Sequence, residues 1–384
     1  MFRLFSSIIS GLVHYYVWRR ICGVIEAGQR TRRILAAIFV VLFLSIPLQT
    51  SARMWAPGLS AKLGWISGPW LAFVGVSFTY FVILDVIRLL VWGVRKLARR
   101  ETPVDPSRRQ FLLRAGGGTA LAVTSASVGL GVFEARGEHE IVTVDVPLKG
   151  LPKSLDGFSI VQLTDLHVGM TIDRDFVQRV VDRANALSPD LIALTGDLID
   201  GPVERLRDDV APLGQLKAKH GVFAVTGNHE YYAGVDEWIA EISKLGVTYL
   251  RNQHVTIADG FTLAGVDDYS AHDWPGHGED LDAATKNRDA ARPLVLMAHQ
   301  PRQVRHASKY AVDLQLSGHT HGGQIWPWHY IVKIQQHGLL AGLYEHDNTR
   351  VYVSRGCGYW GPPVRFGAPL EITKIVLRAL PSAA

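Results

Sequence analysis

The sequence predicts an α/β domain that follows a membrane region, and three observations carry that reading. From residue 141 to the C-terminus, short apolar runs of strand length alternate with apolar residues at helical spacing, over about 240 residues. Before residue 140, charges cut the chain into long uncharged stretches, some of them long enough to cross a bilayer. Charge divides at the same place: residues 1–140 hold 17 Lys+Arg against 7 Asp+Glu, whereas residues 141–384 hold 23 against 28. The expected domains are therefore 1–140, the membrane region, and 141–384, the α/β domain.

The membrane elements follow in order. The uncharged stretches are residues 4–18, 34–52, 63–84 and 115–133, of 15, 19, 22 and 19 residues. At ~1.5 Å per residue, the second and third reach roughly 28 and 33 Å, enough for transmembrane helices. The first is short, carries His14 and is expected at the interface. The fourth is rich in Gly, Ala, Ser and Thr and only weakly hydrophobic, so a span, a signal core and a tether all fit it. Thirteen basic residues flank the spans on one side, and only Arg53 and Lys62 lie between them. The positive-inside rule places the basic segments in the cytoplasm. If the fourth stretch crosses, everything after it lies outside. Residues 107–112, Ser-Arg-Arg-Gln-Phe-Leu, resemble a twin-arginine export signal, and a stop-transfer cluster fits them equally. Both readings hold the protein at a membrane, and the expected setting is the inner membrane of a bacterium, with the α/β domain extracytoplasmic.

In the second region, residues 141–146 alternate as a strand, and 158–163, 191–194, 222–225, 294–297 and 314–316 are short buried-strand candidates. Between them, Ile172, Phe176, Val180 and Leu187, and later Val235, Trp238, Ile239, Ile242 and Leu245, repeat at helical spacing. Late strands at 351–354 and 370–376 close the domain. Composition sets further bounds. A chain 48% hydrophobic and 20% charged, with a mean hydropathy of +0.11, is neither disordered nor fibrous and contains apolar sequence suited to lipid. The net charge of +5 belongs entirely to the N-terminal third, so the acidic remainder is a poor surface for nucleic acid. Two distant cysteines, Cys22 and Cys357, supply neither a disulfide framework nor a Cys-based metal site.

The polar residues that carry chemistry sit where the strands end. Asp165-Leu166-His167, Gly196-Asp197-Leu198-Ile199-Asp200, Gly227-Asn228-His229-Glu230, His299-Gln300-Pro301 and Gly318-His319-Thr320-His321 each follow an apolar run. Ligands of open α/β sheets bind outside the carboxyl ends of strands, so five such tips are expected to share one crevice. Two residues apart at a strand end, Asp165 and His167 point to the same side and can hold one ion. His319 and His321, likewise two apart, can serve different metals of a close pair. Gly196 and Gly227 let the backbone approach the site. The nitrogen and oxygen donors suit Mn, Fe or Zn rather than Ca or Mg.

These blocks, D-x-H, G-D-x-x-D, G-N-H-E, a strand-terminal His and G-H-x-H, resemble the calcineurin-like metallophosphoesterases, over residues 141–377. The tail G-H-T-H-G-G-Q and the membrane-proximal start look most like a bacterial membrane-bound or twin-arginine-exported branch, related to UDP-2,3-diacylglucosamine hydrolases of lipid A synthesis. The resemblance implies a four-layer α/β/β/α sandwich and two divalent metal ions. Asp165, His167, Asp197 and His321 would bind one, and Asp197, Asn228, His299 and His319 the other, with Asp197 bridging. It also implies His229 as the catalytic acid, oriented by Asp200 or Asp165. Two cations roughly 3.5–4 Å apart can share a water, lower its pKa and aim it at phosphorus.

The expected activity is hydrolysis of a small or lipid-linked phosphoester or pyrophosphate by a metal-bound hydroxide. The alternatives are a cytoplasmic UDP-2,3-diacylglucosamine hydrolase and a non-catalytic membrane scaffold on the same fold. Weaker signals are Asp85 with Arg88 at the end of a span, Arg302 and Arg305 after His299, and the aromatics Trp326, Trp328, Tyr330, Tyr359, Trp360 and Phe366, which can form an apolar entrance. Residues 269–282, with Trp274, His272 and His277, read as a loop over the site rather than a source of ligands.

Overall fold

The computed structural model describes residues 2–98 and 105–380. The chain forms two compact units, one of Met1–Phe133 with Gly361–Val364, the other of Glu134–Trp360 with Arg365–Ala384. The first contains four helices: α1 (Phe2–Val24), α2 (Gln29–Ala52), α3 (Pro57–Leu97) and α4 (Pro106–Ala135). They share an apolar core in which Val17, Phe39, Val74, Phe81 and Ala120 meet. By length and composition, Gln29–Ala52, Pro57–Leu97 and Gln110–Ala135 are each able to cross a membrane. The weakly apolar fourth stretch is thus helical and long enough to span. The first stretch is part of a longer helix, α1, which is not among these three.

Helix α3 extends well beyond the stretch ended by Asp85, to 41 residues. The charge there does not stop the helix because it is met on several sides. Tyr16 Oη donates to Asp85 at 2.6 Å, Arg20 lies 3.1 Å from it and Arg88 3.0 Å. Opposite charges in contact remove much of the cost of a carboxylate in apolar surroundings. Arg99 and Arg100 of the basic segment, and the side chain of Arg109 in the twin-arginine-like motif, lie outside the described residues.

The second unit is the α/β domain. In chain order its elements are β1 (Glu140–Leu148), β2 (Ser159–Leu163), α5 (Arg174–Ala186), β3 (Leu191–Thr195), α6 (Val203–Val210), β4 (Val222–Val225), α7 (Asn228–Ala233), α8 (Val235–Ser243), β5 (Val247–Tyr249), β6 (Gln253–Ile257), β7 (Phe261–Gly265), α9 (Leu281–Thr285), β8 (Leu294–Met297), α10 (Val304–Ala307), β9 (Leu314–Ser317), α11 (His329–Gln335), β10 (Gly342–His346), β11 (Thr349–Val353) and β12 (Glu371–Ala379). They build two six-stranded mixed sheets, ordered β1-β12-β2-β3-β4-β5 and β10-β11-β9-β8-β7-β6.

Four layers result from which faces these strands bury. Ile160, Ala193 and Val225 of the first sheet share a core with Leu263, Val295, Met297 and Leu316 of the second, so the two sheets pack face to face. On the other face of the first sheet, Val161, Leu163, Ile192 and Leu194 meet Phe176, Val180, Leu206, Trp238 and Ile242 from α5, α6 and α8. Ala264, Leu294 and Leu296 of the second sheet meet Leu281, Ala284 and Ala307 of α9 and α10. Central strands covered on both faces read as short, mostly apolar runs, which is why β3, β4 and β8 stand out in the sequence and β2 and β9 do so despite the buried Gln162 and Gln315.

The hairpin β6–β7 was not visible, because β6 carries Gln253, His254 and Thr256 among its apolar residues. Its turn is formed by Ala258 (φ 47°) and Asp259 (φ 52°), with Gly260 N donating to Ile257 O. Two consecutive left-handed residues match the right-handed twist of the paired strands.

Candidate metal centre

Strands β2, β3 and β4 run parallel to one another in the first sheet, as do β8 and β9 in the second. Parallel strands place the loops that follow them at one end of their sheet, and the five tips meet there. Among the described residues, three groups of candidate ligand atoms form, with the atoms of each within 4.8 Å of one another: Asp165, His167 and His321; His167, Asp197 and His229; and Asp197, His299 and His319.

The backbone is bent to make these meetings. Asp165 (φ 55°), His167 (50°), Asp197 (54°), His319 (70°) and His321 (52°) all adopt left-handed backbone conformations. Each such residue costs on the order of 1 kcal/mol or more, and strain of this kind persists only where the surrounding structure imposes it. Two glycines make room. A side chain at Gly196 (φ 89°) would place Cβ 2.6 Å from Gly227 N, and one at Gly227 would strike Asp197 Oδ1.

Hydrogen bonds hold the donors in place. His319 N donates to both carboxylate oxygens of Asp165 at 3.0 Å, and Thr164 Oγ1 to one of them at 2.8 Å. His229 N donates to Asp197 Oδ1 at 2.8 Å. The buried Glu230 accepts from Asp197 N at 3.0 Å, Leu198 N at 2.7 Å and Gly227 N at 2.6 Å, so it ties the loops after β3 and β4 together. Asp200 Oδ1 lies 2.9 Å from His167 Nδ1 and 2.6 Å from His229 Nδ1. Of the two carboxylates expected to orient His229, Asp200 is the one in contact. Asp165 instead faces His319.

The donor set fits a cation. His299 Nδ1 donates to Thr195 O at 2.8 Å, which leaves the lone pair on Nε2. That nitrogen stands 3.1 Å from Asp197 Oδ2 and makes no hydrogen bond among the described residues. By the same logic His167, bonded through Nδ1 to Asp200, turns Nε2 toward Asp165 Oδ1 (3.9 Å), Asp197 Oδ2 (3.7 Å) and His321 Nε2 (3.0 Å). Asn228 Oδ1 is also buried without a partner among the described residues. Acceptors facing acceptors in a buried site call for positive charge between them, from protons or from a metal ion.

The shifted ionisations say the same. Burial disfavours charge throughout, yet Asp200, Asp197 and Asp165 outweigh it at His167 and push it up to about 9, and Asp197 raises His299 well above its usual range. Burial, reinforced by a neighbouring imidazole, lowers His319 to about 3 and His321 well below the ordinary value. Burial raises Glu230 to about 7, helped by Asp197. Displacing the protons gathered between these carboxylates and imidazoles is what a divalent ion does on binding.

Other residues at the site were not legible as such. Asp268, just past β7, accepts from Gln300 Nε2 at 3.0 Å, and its Oδ2 has no partner among the described residues. The pair Asp267-Asp268 was a strand-tip signal of the same type, hidden because β7 itself was not recognised. Arg365, fully buried, donates to Gly358 O, His321 O, Ala368 O and Arg355 O, clamping the His321 loop. Of the weaker signals, Arg302 and Arg305 are bonded to residues outside the three ligand groups. Arg302 bonds Gln335 O and lies over the Tyr269 ring, and Arg305 bonds His337. Trp360 stands at the site, 5.9 Å from the His229 ring, and Tyr232 is 5.4 Å from it. Tyr359 is buried, with its hydroxyl bonded to Thr171 O. Trp274 packs on Tyr231 and Tyr232, while His272 and His277 lie outside the three ligand groups.

Known proteins carry the same pattern. The family described as calcineurin-like phosphoesterase matches residues 158–323. A "transmembrane protein with metallophosphoesterase domain" from Danio rerio is 34% identical over 98% of this chain and 89% of its own length. An "uncharacterized metallophosphoesterase" from Campylobacter jejuni is 31% identical over 98% of this chain and 99% of its own, and one from Helicobacter pylori is 42% identical over 65% and 66%. Fold, clustered donors and likeness along nearly the whole chain agree, and the protein belongs to the calcineurin-like phosphoesterase family, as a metal-dependent hydrolase of phosphoric esters with apolar helices suited to a membrane.

Proposed function

We propose that the domain hydrolyses a small or lipid-linked phosphoester or pyrophosphate using two divalent ions, Mn, Fe or Zn. Asp165, His167, Asp197 and His321 would hold one ion, and Asp197, Asn228, His299 and His319 the other. The observation that carries this reading is the position of Asp197: it belongs to one ligand group with His167 and to another with His299 and His319. When bound, the pair supplies Lewis-acid activation of water and neutralises charge on the phosphoryl oxygens.

The chain's own residues do the rest. His229, with Nδ1 held by Asp200, keeps Nε2 for delivering a proton to the leaving oxygen. Asp200 also fixes the His167 ring, so one carboxylate orients both a ligand and the acid. Trp360 and Tyr232 limit water around the acid and present apolar surface to the substrate. The full-length protein in detergent, stripped with a chelator, is expected to lose hydrolysis of bis(p-nitrophenyl) phosphate and to regain it with Mn, Fe or Zn at two ions per chain. Activity that survives complete metal removal would refute the reading. A protein that binds no metal and hydrolyses nothing would point instead to the non-catalytic scaffold.

The reading extends to location: the inner membrane of a bacterium, with the domain on its outer side. The basic flanks of the spans support it. Changing Arg108 and Arg109 to lysine keeps the charge but removes a twin-arginine signal. If export depends on that signal, the variant's domain should become resistant to protease added to spheroplasts while the wild type stays sensitive. A wild-type domain cut only after lysis would place it in the cytoplasm, where a UDP-linked acylated sugar becomes the substrate of choice.

A further inference from the structure

Helix α11 begins four residues after the G-H-T-H-G-G-Q segment, yet none of its residues is buried. Tyr330, Ile331 and Ile334, at i, i+1 and i+4, form one stripe and are exposed by 59%, 55% and 78%. Water-facing helices seldom carry three large apolar side chains together unless the face meets a partner. The stripe has a basic border: Lys333 lies on the same helix, Arg302 bonds its last residue, Gln335, and Arg305 bonds His337 just beyond it.

This surface runs on to the metal centre. Gln324, two residues from Trp326, exchanges hydrogen bonds with the backbone of Trp360 at 2.9 and 3.0 Å, and Trp360 flanks His229. Trp326 stacks on His329, whose ring lies 4.1 Å from that of Tyr330. Aromatic rings, branched aliphatic residues and cations in this order are the composition of a segment that lies in a lipid interface. A bilayer is also the partner nearest to hand. Only residues 136–139 separate the candidate span Gln110–Ala135 from β1, so the domain's first strand starts within ~18 Å of contour from the end of that span. Tethering over so short a distance keeps the surface at a high effective concentration of lipid.

We propose that Tyr330, Ile331 and Ile334 insert into the interface of the membrane that holds the chain, and that this seats the metal centre on phosphate groups borne by lipid. The second half rests on the phosphoesterase reading; the first does not. The basic border favours anionic headgroups, and Lys333 can extend its ammonium to them while its stem stays among the acyl chains.

The test uses the full-length chain in phosphatidylethanolamine–phosphatidylglycerol nanodiscs. Cys22 and Cys357 are buried, so Ile334→Cys can be labelled selectively with the environment-sensitive fluorophore NBD. Blue-shifted emission that is quenched by spin-labelled lipid is the expected result. Water-like emission insensitive to such lipid would overturn the insertion, as would a blue shift without lipid quenching, which would mean that protein covers the stripe. For the second half, Ile331→Glu with Ile334→Glu should lower hydrolysis of hexadecyl p-nitrophenyl phosphate in the nanodisc by about tenfold. Hydrolysis of water-soluble bis(p-nitrophenyl) phosphate should not change. Equal loss on both substrates, or no loss on either, refutes the role in substrate access. A wild-type protein inactive on both esters would refute the phosphoesterase reading, and the fluorescence result would still decide the docking.

Discussion

Asp197→Asn should leave the fold intact, lower the bound metal below two ions per chain and reduce hydrolysis of bis(p-nitrophenyl) phosphate by roughly a thousandfold or more. The substitution is nearly isosteric. Its amide oxygen can still accept from His229 N, as Asp197 Oδ1 does at 2.8 Å, and the backbone bond from residue 197 to Glu230 is untouched. What disappears is the negative charge shared by two ligand groups, and an amide nitrogen now faces His299 Nε2, where the carboxylate oxygen stood at 3.1 Å. Circular dichroism separates misfolding from loss of the site, and elemental analysis counts the ions. Full metal content with full activity would sink the dinuclear model.

His229→Ala should behave differently. His229 lies at the rim of the site, with its side chain 15% exposed; it bonds Asp197 through its backbone N–H, and its Nδ1 is taken by Asp200. Two divalent ions should therefore remain, while turnover falls by about 10²–10⁴-fold for esters with poor leaving groups. Esters of p-nitrophenol should lose much less, because their leaving oxygen is already a stable anion and needs no proton. A steepened dependence of rate on leaving-group pKa, with unchanged metal content, is the expected signature. A uniform loss across leaving groups together with lost metal would make His229 a ligand. Rescue of the pattern by a smaller decrease in Asp200→Asn is not expected, since Asp200 also holds His167 at 2.9 Å; that variant should weaken metal binding as well, by about 10–100-fold.

The strands that end at Leu163, Thr195, Val225, Met297 and Ser317 are buried on both faces, so each leaves a short, mostly apolar stretch, broken only by a buried glutamine in the first and last, followed by its own tip. A hairpin strand such as β6 is half polar and leaves no such stretch, and Asp268 lies just past β7, its partner in that hairpin. Helix α3 reads as ending at Asp85 because a charge in an apolar stretch looks like a boundary. Only the contacts with Tyr16, Arg20 and Arg88 show why the helix continues.

By itself the sequence determined the kinds of donor, their pairing two residues apart, and the apolar helices ahead of them, because each is a local pattern of a few consecutive residues. Tertiary structure decided which donors face one another. Asp165 accepts from His319, 154 positions away, and His299 is oriented by Thr195, 104 positions away. It also decided that Asp200 serves both His167 and His229, that five site residues bend into left-handed conformations, and that the stripe on α11 stays uncovered. A candidate ion site is a set of distances, and here those distances are set by the packing of two sheets, one built mainly before residue 250 and the other after it, whose strand tips meet at one end.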